Sequence, residues 1–137
     1  MSKQNSNDSQ KKYLELQIII QQINQIQEQI SNLNNQVVEL NELKKGINLI
    51  KDVKNNTESF VPVGFNIFAK AKLENANELL VNVGSNIFVM KNIEETIFLI
   101  NSQIEQIEII IKEIDNKLYR LEHAGELIQS EILSANK

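Results

Sequence analysis

Apolar residues recur at alternating spacings of three and four along the first third of the chain. This a and d heptad pattern is typical of a helix that packs along a narrow seam. We therefore predict helix 1 over residues 10–54, after a flexible polar tail over residues 1–9, with Asp8 or Ser9 as the N-cap. The series contains Leu16, Ile19, Ile23, Ile26, Ile30, Leu33, Val37, Leu40 and Ile47, with the polar Lys44 between the last two.

The last third of the chain carries a second seam with the same spacing. Asn92 and Glu95 stand in front of it in the arrangement of a capping box, in which a polar side chain and a glutamate satisfy the first amides of a helix. The pattern predicts helix 2 over residues 93–133. The series is Ile97, Ile100, Ile104, Ile107, Ile111, Ile114, Leu118, Leu121, Gly125, Ile128 and Ile132, in which Gly125 is the exception.

Between the two seams the apolar spacing changes to two, and a short motif occurs twice. Residues 61–68 read VPVGFNIF and residues 81–88 read VNVGSNIF, and all five phenylalanines lie between positions 60 and 98. Each copy places a glycine and an asparagine, which tolerate positive φ, between two apolar runs. We predict two β-hairpins over residues 60–91.

Together these elements predict one α+β domain over residues 1–137: a long antiparallel two-helix coiled coil with two β-hairpins between the helices. Two hairpins do not close a sheet, so their edges invite strands of another chain, and we expect the hairpins to join an inter-subunit β-barrel. The alternative is a small monomeric sheet packed on the helices. The residues expected to mediate subunit assembly are Val61, Val63, Ile67, Phe68, Val81, Val83, Ile87 and Phe88.

Apolar residues outside the seam concentrate near the two chain ends. A two-stranded coil cannot bury all of them, so we expect an apolar binding surface at the tip of the coiled coil. The alternative is that they pack only the frayed helix ends. Gly125 is expected to leave a hole that loosens the tip, and Ile109 and Ile110 have no assigned role. The predicted tip residues are Leu14, Leu16, Ile18, Ile19, Ile20, Leu127, Ile128, Ile132 and Leu133.

Composition argues against several classes of function. The net charge is −4, which does not suit nucleic acid, and the sequence contains no cysteine and one histidine, His123, at an outward heptad position. We expect no enzyme activity, no metal and no cofactor. No apolar run approaches the ~20 residues that a membrane helix needs, and residues 1–10 do not look like a targeting peptide, so we expect a cytoplasmic protein.

The order helix, two hairpins, helix resembles the α-class subunit of prefoldin. The resemblance rests mainly on VPVG at residues 61–64, AKAKL at 69–73, LVNVG at 80–84 and NIFVMK at 86–91. It implies an ATP-independent holdase in a hexamer of two α and four β subunits. The implied partners are β-class prefoldin subunits, unfolded client proteins held by the coiled-coil tips, and a group II chaperonin that receives the clients.

A second function, from a different class, also fits the pattern. The chain would then be a structural coiled-coil adaptor that binds one folded partner through its helices, with the β segment as an anchor. The two hypotheses differ in specificity, because a holdase suppresses aggregation of unrelated unfolded proteins and an adaptor does not.

Overall fold

The computed structural model describes residues 2–75 and 77–135, with side chains from residue 6 onward. Met1, Ala76, Asn136 and Lys137, which belong to the predicted 1–137 domain, lie outside the described residues. The elements follow the predicted order, which confirms the fold. They are helix α1 (Ser2–Lys51), strands β1 (Thr57–Gly64), β2 (Ile67–Leu73), β3 (Leu79–Gly84) and β4 (Ile87–Lys91), and helix α2 (Ile93–Ala135).

The boundaries of the elements differ from the predicted ones. Helix α1 begins at Ser2 rather than at residue 10, so Asp8 and Ser9 lie inside the helix and do not cap it. The heptad register continues backward through residues 12, 9, 5 and 2, but its residues there are polar. The first hairpin begins at Thr57, three residues early, and helix α2 continues to Ala135.

The chain divides into two units, which we name the terminal unit (residues 1–37 and 106–137) and the central unit (residues 38–105). In the terminal unit the two helical segments run antiparallel. The Lys12 ammonium lies 3.6 Å from the Glu131 carboxylate, and Gly125 faces Leu16 and Ile19. Ile26 and Ile132 are buried in this seam.

In the central unit the helical segments also pair antiparallel. Lys44, the polar residue in the seam of α1, donates a hydrogen bond from Nζ to Asn101 Oδ1 of α2 at 2.7 Å. The Lys44 stem can pack along apolar neighbours while its ammonium reaches a polar partner. The buried apolar residues of this unit are Ile47, Ile93, Ile100 and Ile104.

Helix α2 begins with the predicted cap. Asn92 Oδ1 accepts a hydrogen bond from the Glu95 amide at 2.7 Å, and Asn92 Nδ2 donates to Glu95 Oε1 at 3.2 Å. The Ile93 amide donates to Asn77 Oδ1 at 3.4 Å, which ties the helix start to the segment between the hairpins. Thr96 is buried, and its hydroxyl donates to the Asn92 carbonyl at 2.8 Å. The bonds from the Ile93 and Glu95 amides satisfy donors that a helix N-terminus leaves without partners.

The two copies of the sequence repeat form two hairpins of the same design. Strand β1 pairs with β2 and β3 pairs with β4, each antiparallel, and each hairpin forms its own two-stranded sheet. The register shifts by one residue at Val63 and again at Val83, so each hairpin carries a β-bulge at the equivalent position. In the second hairpin the Gly84 amide donates to Asn82 Oδ1 across this bulge.

Both hairpins turn through two residues with positive φ. The turn residues are Phe65 (48°) and Asn66 (61°) in the first hairpin, and Ser85 (51°) and Asn86 (59°) in the second. Positive φ at both central positions is the requirement of a type I′ turn, whose twist suits a hairpin. Gly64 and Gly84 precede the turns at φ of 134° and 124°, a region that glycine alone adopts without strain.

Candidate functional site: exposed apolar surfaces of the two units

The first apolar surface lies on the terminal unit. Leu14, Ile18, Ile20, Leu127 and Leu133, which we name the terminal patch, are between 48% and 61% exposed. All five lie outside the a and d positions, so the helical period turns them away from the seam. Scattered apolar residues are normal on a surface, but Leu14 and Ile18 lie one helical turn apart on the same face of α1, so the ends of the two paired helices are a candidate binding site.

The other four predicted tip residues lie in the seam. Leu16, Ile19 and Ile128 are half-buried, and Ile132 is only 6% exposed. The structure therefore places them between the two helices, where they hold the terminal unit together. A bound client could reach the buried parts of these side chains only if the helices separated.

The hole expected at Gly125 is no larger than a methyl group. The residue is buried, and a Cβ built at this position would lie 3.4 Å from Ile19 Cγ2 and 3.8 Å from Leu16 Cδ1. These are ordinary contact distances, so the seam has room for one methyl group at this position. The gap is therefore small, and the glycine also has a low helix propensity.

Two further groups of exposed apolar residues lie in the terminal unit. Tyr13 is half-exposed beside Leu14 and was missed by the sequence analysis, although its heptad position, directly after a d residue, could have indicated it. Ile109 and Ile110, which had no assigned role, are 59% and 43% exposed. They offer a second place where an apolar chain segment could bind.

The second apolar surface belongs to the hairpins of the central unit. Seven of the eight residues predicted for assembly are exposed, and the eighth, Val81, is half-buried. Phe60, Leu80 and Met90 are exposed as well. A two-stranded hairpin is marginal on its own, and one with apolar side chains on both faces needs a partner to cover it.

Directly opposed residues show how the two faces are built. Val61 opposes Ala69 on one face of the first hairpin, and Phe60 opposes Lys70 on the other. In the second hairpin Val81 opposes Val89, and Leu80 opposes Met90. Each hairpin therefore presents apolar side chains on both of its faces.

A groove of about 920 Å³ lies beside the second hairpin, within the central unit. Strand β3 forms one wall and the two helical segments form the others. The lining contains no charged residue and is mainly aliphatic. The lining includes Leu40, Leu43, Ile47, Ile50, Leu79, Val81, Val83, Leu99 and Ile100, and its polar members are Asn82, Ser85, Asn86, Thr96 and Gln103.

The described residues show no group of histidine, aspartate and glutamate that could hold a metal ion. Within the same residues, no helix is long and apolar enough to cross a membrane. His123 is exposed, in agreement with its outward heptad position.

Helical segments that pair antiparallel within each unit, and two hairpins with uncovered apolar faces, define a coiled-coil protein with surfaces suited to assembly. The sequence model of the family described as "Prefoldin subunit" matches residues 19–135, and the chain belongs to the prefoldin family, a family of non-enzymatic chaperone subunits. No curated protein sequence matches the chain.

A solved structure with the same fold is the filamentous PFD from Methanocaldococcus jannaschii, determined by cryo-electron microscopy. Its TM-score is 0.78 at 22% sequence identity, and the match covers 85% of this chain and 96% of that one. At this identity the likeness establishes the fold.

Proposed function

We propose that the chain is a subunit of an ATP-independent holdase, which captures unfolded proteins on the terminal patch and passes them to a group II chaperonin. The observation that supports the proposal is the exposure of Leu14, Ile18, Ile20, Leu127 and Leu133 in a chain that belongs to the prefoldin family. Unfolded proteins expose the same kind of side chain, so contact between the patch and a client removes apolar surface of both from water.

The strength of this contact suits a holdase. Apolar burial stabilises by about 25 cal/mol per Å², so a patch of a few hundred Å² supports only weak binding after the ordering of client and side chains is subtracted. Several patches on one assembly raise the combined affinity by roughly 10² or more, because the later contacts are intramolecular. Each contact remains weak enough to release the client without ATP.

The hairpins supply the assembly that this avidity needs. We propose that they join a β-barrel shared between subunits, in a cytoplasmic hexamer of two chains of this α class and four β-class subunits. Support comes from the exposed faces of both hairpins, which a barrel would cover. The similar archaeal structure is filamentous, so an open-ended polymer is the alternative to a closed hexamer. Native mass spectrometry of the chain alone and with β-class subunits distinguishes the two.

Removal of the terminal patch tests client capture. Replacing Leu14, Ile18, Ile20, Leu127 and Leu133 together by glutamine keeps helix formers in place and removes the apolar surface. We expect assembly and helix content to persist, while protection of a denatured client, measured by light scattering after dilution into buffer, falls at least tenfold.

The matched control replaces Ile109 and Ile110 of the same unit by glutamine. Protection should stay near the wild-type value in this variant. If the control loses protection and the patch variant does not, clients bind midway along the helices. If neither variant changes and the wild type protects no unrelated client, the chain is the coiled-coil adaptor instead.

A further inference from the structure

The first hairpin ends in a phenylalanine that is both strained and unprotected. Phe65 occupies the first turn position at φ 48°, and its side chain is fully exposed. A bulky residue in the left-handed region is a genuine outlier, because its Cβ crowds the following carbonyl. Strain of this kind persists where the surroundings or a binding partner compensate for it.

The second hairpin shows that the fold itself does not require phenylalanine. Ser85 takes the equivalent turn position at φ 51°, after an equivalent glycine and bulge. The turn thus forms with a small polar residue, which contributes no apolar surface. The difference between Phe65 and Ser85 is therefore a difference in what the two hairpin ends can bind.

The central unit also contains the complementary feature, an open apolar groove between strand β3 and the helices. It is lined by Leu43, Ile47, Val81 and Leu99 among others. Because Phe65 is fully exposed, its own groove does not hold it. The groove is therefore open to another molecule, and a second copy of the chain carries an apolar projection of suitable chemistry.

We propose that Phe65 of one copy inserts into this groove of a second copy, and so determines how two chains of this class meet. This inference rests on the proposed assembly through the hairpins. Each copy carries both the projection and the groove, so a two-fold arrangement satisfies both contacts at once. The hexamer proposed above contains two copies of this class, which is the number that such a pair requires.

The available surface is large enough to matter. Phe60, Phe65 and Phe68 of the first hairpin are each more than half-exposed. With about 150–250 Å² per phenylalanine, they present on the order of 400 Å², about half of what one partner contributes to a standard interface. Val61, Val63 and Ile67 add to this surface.

The charge distribution favours the same pairing. Residues 60–69 contain no charged side chain, and neither does the groove lining. The contact therefore buries no charge that would need a partner. Elsewhere on the chain charged residues are frequent, so an uncharged hairpin end and an uncharged groove are matched features.

Photocross-linking tests the contact directly. Benzoylphenylalanine at position 65 keeps an aromatic side chain in the turn, and ¹⁵N-labelled and unlabelled full-length copies are mixed before irradiation. We expect the cross-linked peptides to join two copies and to map to residues 40–50, 79–86 or 96–103. Cross-links within one copy, cross-links elsewhere, or a yield no higher than with the probe at position 98, an exposed position outside the groove lining, would overturn the proposal.

A pair of matched variants gives the second measurement. Phe65→Ser makes the first turn equal to the second, while Phe98→Ser removes an exposed phenylalanine outside the hairpins and the groove lining. In sedimentation of the chain alone, Phe65→Ser should weaken self-association at least tenfold with unchanged helix content, and Phe98→Ser should leave it unchanged. Equal association of the Phe65→Ser variant and the wild type, or a wild type that stays monomeric, contradicts the proposal.

Client protection is measured on the same samples. A chain that pairs through Phe65 but does not protect clients would contradict the proposed holdase function alone. A chain that protects clients without pairing in this way would contradict the contact alone.

Discussion

Gly125 is buried in the seam of the terminal unit, where the side chains of Ile19 and Leu16 lie against it. Glycine loses more backbone entropy on helix formation than any other residue, so Gly125 lowers the stability of helix α2 mainly through this entropy rather than through packing. The free energy needed to open the terminal unit locally is therefore lower than it would be with alanine at this position. An opening of this kind would expose Leu16, Ile19, Ile128 and Ile132.

Replacing Gly125 by alanine should stabilise the protein by about 0.5–1 kcal/mol, because the helix gains propensity and the new methyl group meets ordinary contact distances. Urea unfolding followed by far-ultraviolet circular dichroism measures the change. Gly46→Ala is the matched control, since a Cβ there meets nothing within 4 Å and reports propensity alone. A destabilised Gly125→Ala beside a stabilised control would show that the seam has no room.

Among the elements, the helices were predictable and the start of α1 was not. The a and d spacing of Ile23, Ile30 and Val37 needs no tertiary information, and the capping pair of Asn92 and Glu95 was visible in the sequence. At the front of the chain the seam positions are filled by polar residues such as Ser9 and Lys12. These polar residues lie in a helix that pairs with α2, as the ion pair of Lys12 and Glu131 shows. The spacing of apolar residues cannot reveal this part of the helix.

Antiparallel pairing within one chain gives a direct prediction. Cysteines at Ile19 and Gly125 should form an intramolecular disulfide, because the Cβ at 125 lies 3.4 Å from the side chain of residue 19 and the sequence has no competing cysteine. A non-reducing gel after oxidation at low protein concentration measures it. The single variants can form only intermolecular dimers, and a double variant that does the same would contradict the pairing.

At the scale of the whole molecule, the hairpins present more apolar surface than one chain can cover. The sequence predicted which residues form the strands, and it predicted seven of the exposed apolar positions. It could not predict how Phe65 is presented, because the left-handed turn that projects it is a property of the folded hairpin. It also placed seam residues such as Ile132 in the client site, since spacing alone does not tell how much of the seam is open.

Charged residues at Ile67 and Ile87 test whether assembly depends on both hairpins. The two residues occupy equivalent repeat positions, and both are more than half-exposed in the single chain. Ile67→Asp and Ile87→Asp should each give smaller particles in sedimentation, because a buried unpaired carboxylate is costly, while the helical signal persists.

The control for added negative charge is Asn75→Asp, in the exposed segment between the hairpins. An aspartate there keeps the acceptor for the Asn77 amide. Particle size should be unchanged in this variant. If only one of the two aspartate variants dissociates the particle, the interface is formed by the hairpin that carries that substitution alone.

The aromatic residues divide cleanly between the two units. All five phenylalanines lie between residues 60 and 98, whereas the two tyrosines, Tyr13 and Tyr119, belong to the terminal unit, and the sequence has no tryptophan. Intrinsic tyrosine fluorescence therefore reports on the terminal unit alone. Tyr13 lies beside Leu14 of the terminal patch and is half-exposed, so a client that binds there should alter its emission. Energy transfer from tyrosine to the tryptophans of a client would then register capture without any label.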